Sequence, residues 1–439
     1  MLVIANNSMD LITLNPWWEH KNAIELDKHI RALQNFKYIY NPPMLKEHFK
    51  KDSVYTIRGP RQIGKTTFLK LFIQEKLKSI PKENIFYWSC DNLTSKDNLI
   101  TLVGEYADFC RVKNAKPEYI LLDEITEIND WQKAIKFIID NNIITDVCYI
   151  LTGSNAIDLK KGTERLPGRR GKHGKDLFFL PLTFREYVQI MDPDWYQKHK
   201  MDNVDKLRYH SNKLNIFFEK YLITGGIPLV INEYELNKEI PNYIYDLYYS
   251  WIIGDVLKEG KTEQTLKELI KSILVCYSMP VSWYSLAKRS SVKSHVTISS
   301  YIELLSNLFV VFGCFFFDIG ENKVNYNKNK KIYMYDPFIL KIFSNKLNIP
   351  VEKEKIVEGI VGATLKQQHV LDDIYFTKIK KETDFVLNSR DALEVKYQNS
   401  VSKEDFINKR YFKNFKILSK DIFDKDTIPV YVYLFSEKT

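Results

Sequence analysis

Val54-Tyr55-Thr56-Ile57, Gly59-Pro60-Arg61-Gln62-Ile63-Gly64-Lys65-Thr66 and Phe68-Leu69-Lys70-Leu71-Phe72-Ile73 follow one another along the chain. The first is a short apolar strand pattern and the last a helix pattern. The loop between them fits GxxxxGK(S/T) at every fixed position, in the strand-loop-helix setting that gives the motif its mechanism. Its glycines let backbone N–H groups wrap phosphate oxygens, and the N-terminus of the following helix adds partial positive charge. An ordinary glycine turn is the competing reading. The motif assigns Gly59, Pro60, Arg61, Gln62, Ile63, Gly64, Lys65, Thr66 and Thr67 to nucleotide binding, with Lys65 on the β and γ phosphates and Thr66 on Mg²⁺. ATP or ADP and Mg²⁺ are the cofactors expected.

Such a loop needs a second Mg²⁺ carboxylate at the end of a neighbouring strand, and Tyr119-Ile120-Leu121-Leu122-Asp123-Glu124 supplies one. Its apolar run reads as a buried parallel strand. Asp123 is expected to bind the metal and Glu124 to orient and polarise the attacking water; a helix N-cap is the alternative. Cys148-Tyr149-Ile150-Leu151-Thr152 is another core strand, and it ends in Gly153-Ser154-Asn155. Ligands of parallel sheets bind outside the strand C-termini, which places Ser154 or Asn155 to sense the γ phosphate, with a plain turn as the alternative. From Lys160 to Lys175 the chain is rich in Lys, Arg and Gly. Arg169 or Arg170 is expected to stabilise charge on the transferring group, although a solvated basic loop fits the composition nearly as well.

With 439 residues, the chain has room for about three domains. Its 45% hydrophobic and 27% charged residues exclude a disordered or low-complexity chain. The net charge of +9 permits nucleic-acid contact without demonstrating it. Cys90, Cys110, Cys148, Cys276 and Cys314 form no CxxC pair and read as buried free thiols. The first residues lack a basic n-region, and the longest apolar run, Leu308 to Phe317, is too short to cross a bilayer. A soluble cytoplasmic protein with no membrane partner is therefore expected.

Several strings together resemble a family: Asn15-Pro16-Trp17-Trp18, Arg58-Gly59-Pro60-Arg61-Gln62, Leu122-Asp123-Glu124-Ile125, Leu151-Thr152-Gly153-Ser154, Leu166-Pro167-Gly168-Arg169 and Leu180-Pro181-Leu182-Thr183-Phe184-Arg185-Glu186-Tyr187. Over nearly the whole chain the sequence is similar to archaeal and bacterial AAA-type ATPases that carry a restriction-endonuclease-like C-terminal domain. The resemblance implies that Gly64-Lys65-Thr66, Asp123-Glu124 and Ser154-Asn155 are the nucleotide, magnesium and sensor motifs. It fixes no biological task.

The fold expected is α/β: an N-terminal segment (1–50) packing on a P-loop ATPase core of the AAA type (51–190), then a helical lid (191–280), a winged helix (281–336) and a restriction-endonuclease-like α/β domain (337–439). Apolar spacing of three and four from Phe184 to about Ile273 carries the lid. Thr224-Gly225-Gly226-Ile227-Pro228 within it reads as helix punctuation. Trp283 to Arg289, polar Ser290 to Ser294 and a helix through Ile298, Ile302 and Leu305 precede two expected wing strands, Val310 to Asp318 and Lys331 to Asp336. Such a module either places Lys293, Ser294, His295 and Thr297 in a DNA groove or serves as a scaffold.

In the last hundred or so residues, Glu382-Thr383-Asp384-Phe385-Val386-Leu387 and Ala392-Leu393-Glu394-Val395-Lys396-Tyr397 form a hairpin pattern. Residues two apart share a strand face, so Glu394 and Lys396 project together and Asp384 meets them across the pair. Two carboxylates for Mg²⁺ and a lysine for water is the D…ExK arrangement of restriction-type nucleases, and the resemblance adds Glu358 as a helix acid. Taken alone, the string also fits a salt-bridged surface hairpin. None of the eight histidines reads as a ligand. The leading expectation is a Mg²⁺-dependent ATPase acting on or with nucleic acid. An ATP-regulated nuclease and a nucleotide-dependent switch with little turnover are the alternatives. The sequence leaves open whether the arginine acts on its own chain or on a neighbouring copy in a homo-oligomer.

Overall fold

The computed structural model describes residues 7–153, 159, 162–163, 166, 168–290, 292, 294–370, 372–388 and 390–437. It divides into two compact units, Met1–Phe179 and Leu180–Thr439. No single helix among the described residues is long and apolar enough to cross a membrane. All five cysteines are free and buried.

The first unit is built on five parallel strands, β1 (Ser53–Arg58), β2 (Ile85–Ser89), β3 (Tyr119–Asp123), β4 (Cys148–Thr152) and β5 (Asp176–Phe178), in the order β2-β3-β4-β1-β5. β3 and β4 are buried at every position, as strands covered on both faces must be, which is why they read as unbroken apolar runs. Crossover helices α1 (Lys65–Lys76), α2 (Lys96–Lys113) and α3 (Trp131–Asp140) connect them. Ser95 caps α2 by accepting the N–H of Asn98, and Asn114 ends it in the left-handed region.

β2 is an edge strand, and the motif Asn15-Pro16-Trp17-Trp18 covers it. Asn15 is fully buried. Its side-chain oxygen accepts the Tyr87 N–H at 2.8 Å and its amide donates to the Tyr87 carbonyl at 3.0 Å. Both indole N–H groups, of Trp17 and Trp18, donate to the Ile85 carbonyl at 3.2 and 3.0 Å. Side chains thus satisfy the outer edge of the sheet where a sixth strand would otherwise be needed.

The second unit begins earlier than the expected core boundary at residue 190. Thr183 and Glu186 form a capping box at Phe184–Met191. That helix packs Phe184 edge-to-face on Phe218 and Tyr221 of α4 (Ser211–Thr224) and Tyr187 edge-to-face on Tyr221, and Tyr221 donates to the Leu182 carbonyl. Residues 180–190 therefore pack with the helices of the second unit. The stretch expected to be helical is helical as far as Val275.

Helices α5 (Trp283–Arg289) and α6 (His295–Asn307) then lead into an eight-stranded mixed sheet. Its strands are β6 (Val311–Asp318), β7 (Lys323–Asn325), β8 (Lys331–Met334), β9 (Ile374–Lys378), β10 (Glu382–Asn388), β11 (Asp391–Lys396), β12 (Asn414–Ser419) and β13 (Thr427–Pro429). β6 pairs antiparallel with β8 and parallel with β9. The sheet consequently runs through the boundary expected between residues 336 and 337: β6, read as one wing strand, pairs with β9, and β8, read as the other, joins the sheet through β6. Two more helices, α7 (Pro337–Leu347) and α8 (Lys353–Gln368), lie between β8 and β9 in sequence.

Candidate nucleotide site and C-terminal acid cluster

β1 delivers the loop 59–66 to the C-terminal edge of the first sheet, and α1 starts at Lys65. Gly64 immediately precedes the helix with φ +105°, a conformation that a side chain would strain, so the loop reverses there and the first N–H groups of α1 face outward. Lys65 is buried, and its ammonium donates to the carbonyls of Gly59 and Pro60 at 3.0 and 2.9 Å. A cation folded onto its own loop, beside a helix N-terminus, is a cradle for phosphate oxygens. Thr66 and Thr67 are half-buried in the first turn.

β4 lies between β1 and β3, so the strand ending at Thr152 separates the loop strand from the acid strand. Asp123 closes β3 at 2% exposure. Two hydroxyls hold its carboxylate: Thr152 donates to Oδ1, and Tyr87 donates to Oδ2 at 3.2 Å. Burial first, then Asp123 itself, keeps the Tyr87 phenol far above its ordinary pKa, so it remains a donor. The Thr152 oxygen also accepts the N–H of Glu124 at 3.2 Å, and Glu124 takes a left-handed φ of 53° that turns it out of the strand. A buried carboxylate fixed by two donors at the C-terminal end of β3, one strand removed from the loop strand, fits a Mg²⁺ ligand. Tyr87 and Thr152 escaped sequence reading because their role depends on strand order. Ser154 and Asn155, the expected sensors, lie outside the described residues.

Arg169 and Arg170 are placed differently from expectation. Arg169 forms a two-point pair with Asp140 at 2.8 and 3.1 Å, and Arg170 donates to Asp176 at 2.7 Å. The Arg170 carbonyl accepts the N–H of Val54, near the N-terminal end of β1. At a strand rise of ~3.3 Å per residue, that point is about 16 Å from Gly59. Asp176 lies opposite Thr56 on β1 and is also bonded by the Thr56 hydroxyl at 2.6 Å, so both guanidiniums are paired with acids of their own unit.

That geometry has a counterpart among known families. Residues 51–188 match the model of a family described as an AAA domain. The matched stretch holds the parallel sheet, the loop 59–66 and the acid strand just described. Residues 216–348 match a domain of unknown function. An uncharacterized protein of Methanocaldococcus jannaschii is 24% identical over 330 residues, or 71% of this chain and 67% of its own length. An uncharacterized protein of Haemophilus influenzae is 26% identical over 304 residues, covering 65% and 68%. Among solved structures, the Aeropyrum pernix ORC2 protein in its ADPNP-ADP complexes aligns at 13% identity and TM-score 0.37, over 75% of this chain and 93% of that one. A point variant of Thermotoga maritima RuvB aligns at 18% identity and TM-score 0.28, over 67% and 89%.

In the second unit, β10 and β11 form the expected antiparallel hairpin, with Phe385 opposite Leu393. Glu394 pairs with Lys396 at 3.1 Å, and Asp384 Oδ2 accepts the N–H of Val395 at 2.9 Å. α8 brings Glu358 to the same place, where Tyr333 donates to it at 2.5 Å. At the centre stands a residue that sequence reading passed over. The ammonium of Lys331 lies 2.9 Å from Glu358, 2.7 Å from Glu382 and 2.9 Å from Asp384. Its side chain is 1% exposed.

Burial alone would lower the Lys331 pKa, but Asp384, Glu358 and Glu382 outweigh it and hold the group well above the ordinary lysine value. Burial, then Asp384, pushes both Glu358 and Glu394 upward. The two Asp384 oxygens are taken by Lys331 and by the Val395 N–H, and Glu394 Oε2 is buried without a hydrogen bond. Two of the expected acids, Asp384 and Glu358, thus share the ammonium of Lys331, while Glu394 is paired with Lys396, and with both Asp384 oxygens engaged the cluster does not fit a divalent ion held by Asp384 and Glu394. The signal was present in period-2 spacing: Lys331 and Tyr333 share one face of β8, and both reach Glu358.

The first turn of α6 presents exposed Ser294 and His295 with Thr297 half-buried; Lys293 lies outside the described residues. His199, Asp202 and His210 bring their ligand atoms within 4.8 Å of one another. Asp202 Oδ2 is engaged with His199 Nδ1 at 2.7 Å.

Proposed function

We propose that the protein is a Mg²⁺-dependent ATPase whose nucleotide cycle is coupled to nucleic acid. The observation that carries the reading is the carboxylate of Asp123, buried and fixed by Thr152 and Tyr87 across one strand from the phosphate cradle. Lys65 would leave the loop carbonyls to bind phosphate oxygens, and Thr66 and Asp123 would hold Mg²⁺. Mg²⁺, when bound, supplies neutralisation of phosphate charge. Glu124 would orient and polarise water, and Asn155 would sense the terminal phosphate. Measured with purified protein, Lys65→Ala is expected to lose nucleotide binding or turnover, while Glu124→Gln keeps binding and slows hydrolysis. Normal turnover in either variant would remove the site.

The nucleic-acid part rests on the net charge of +9 and on α5, α6 and the β6–β8 pair, which support a winged-helix reading with the exposed first turn of α6 as its contact. DNA affinity should fall linearly with salt on a double-logarithmic plot, because phosphate contacts release counterions. Affinity indifferent to salt would leave α5 and α6 as a scaffold. The hairpin carrying Asp384, Glu394 and Lys396 favours a nuclease-like ancestry for the C-terminal strands.

A further inference from the structure

Restriction-type cleavage needs a divalent ion between the aspartate and the glutamate of the D…ExK pair. In this protein the two Asp384 oxygens are engaged by Lys331 and the Val395 N–H, and Glu394 is paired with Lys396. Lys331 enters from β8, a strand paired to β6 and outside the D…ExK hairpin, and places one ammonium against acids from two further elements: Glu358 of α8, and Glu382 and Asp384 of β10. The ammonium donates to Glu358 and Asp384 at 2.9 Å and is ion-paired with Glu382 at 2.7 Å, so three carboxylates surround one cation. Lys396, the lysine expected to serve water, is paired with Glu394.

We infer that Lys331 is the resident cation of this cluster, standing in place of a divalent metal, and that the C-terminal strands form a metal-free site that does not cut phosphodiesters. The inference rests on the nuclease-like reading of the hairpin and is independent of the ATPase reading.

Simple inaccessibility does not explain the arrangement. Glu382 is 30% exposed, and it lines an open cavity of about 620 Å³ with Phe316, Lys328, Phe376 and Lys378. An ion could reach the cluster from there; it would meet an ammonium already bonded to three of the acids. Like charges at such separation in a buried setting exclude one another. Nor is Lys331 easily displaced, since moving it would leave three buried or half-buried carboxylates without a counter-charge.

The test is Mn²⁺ binding to the full-length protein without nucleotide, followed by electron paramagnetic resonance of free Mn²⁺. The wild type is expected to show no binding that Asp384→Asn removes. Lys331→Met, which keeps the stem and deletes the charge, is expected to gain affinity by about tenfold or more, and Lys331→Met with Asp384→Asn to lose that gain. Circular dichroism and thermal melting establish that the variants fold. If Lys331→Met does not fold, the wild type compared with Asp384→Asn decides alone, because a resident lysine forbids a site sensitive to Asp384.

Mn²⁺ binding by the wild type that disappears in Asp384→Asn would overturn the inference. So would nicking of supercoiled plasmid by the wild type in Mg²⁺ or Mn²⁺ that Glu394→Ala abolishes. A folded Lys331→Met variant with no gain in Mn²⁺ affinity would also count against it. The ATPase reading has its own readout in Lys65→Ala, so failure of one leaves the other standing.

Discussion

Asp336 Oδ2 accepts the main-chain N–H of Gly226 at 2.7 Å across 110 residues of sequence, while its Oδ1 accepts the N–H of Phe338 at 2.8 Å to cap α7. One buried carboxylate thus joins the turn after α4 to the start of α7. The turn leaves no room for a side chain. A Cβ on Gly225 would lie 2.0 Å from Asp336 Oδ1, at a φ of +64°, and one on Gly226 would lie 2.0 Å from the Leu182 carbonyl oxygen. Gly225→Ala and Gly226→Ala should each destabilise the second unit by about 2–4 kcal/mol in chemical denaturation. Gly104→Ala, inside α2 with nothing within 4 Å of its Cβ, should instead stabilise by about 0.5–1 kcal/mol. Equal effects at the three glycines would show that the socket for Asp336 is not what selects them.

The same carboxylate gives a pH signature. Burial pushes Asp336 up to about 6 from its ordinary 3.8, despite the N–H groups of Gly226, Phe338 and Ile339 pulling it down. The folded state then binds the proton more tightly than the unfolded chain. Its contribution to stability is complete below about pH 4 and is lost as pH rises through about 6. Two pKa units at ~1.4 kcal/mol each correspond to about 3 kcal/mol over that window. Asp336→Asn cannot titrate, so the difference in unfolding free energy between wild type and variant should change by that amount from pH 4 to 7. A flat difference profile would show that Asp336 is ionised across the whole range.

Thr152 has two tasks at the nucleotide site: it donates to Asp123 and accepts from the Glu124 N–H. Thr152→Val keeps the shape of β4 and removes both. On the proposed function, apparent Mg²⁺ affinity for ATP turnover should weaken by about 10–100-fold, as for loss of a ligand's supporting hydrogen bond. Nucleotide binding without Mg²⁺ should change little, since Lys65 and the loop are untouched. Serine at the same position should recover most of the loss. Unaltered Mg²⁺ dependence in Thr152→Val would mean that Tyr87 alone suffices to hold Asp123.

The parts legible in the sequence are those whose signal is local. The loop 59–66 carries its conformation in its own glycines, and the apolar runs ending at Asp123 and Thr152 declare buried parallel strands. The hairpin of Asp384 and Glu394 is likewise short-range. Partnership over distance is hidden. Lys331 reads as the polar start of a strand until β8 is folded beside β6 and under α8. Arg169 and Arg170 look like free basic residues until Asp140 and Asp176 are brought to them. The Gly225-Gly226 turn reads as punctuation because the carboxylate that fills it comes from Asp336.

Asn15 offers the sharpest test of how the first unit ends its sheet. Its side chain replaces a strand by pairing with both backbone groups of Tyr87, and its amide also donates to the Leu11 carbonyl at 2.8 Å. Asn15→Ala leaves the buried Tyr87 N–H and carbonyl unsatisfied and should cost about 2–3 kcal/mol. Asn15→Asp keeps the acceptor for the Tyr87 N–H but turns a charged oxygen toward two carbonyls. It should therefore be at least as damaging at neutral pH and should recover as pH falls and the carboxyl becomes a donor. Trp17→Phe and Trp18→Phe each remove a single donor to the Ile85 carbonyl and should cost about 1 kcal/mol. Hydrogen exchange gives the local readout: the Tyr87 amide should lose protection in Asn15→Ala, whereas the amides of β4, in the middle of the sheet, should keep theirs. An exposed edge also recruits other edges, so Asn15→Ala should scatter more light on warming than the wild type. Protection at Tyr87 unchanged in Asn15→Ala would mean that Trp17 and Trp18 cover the edge without it.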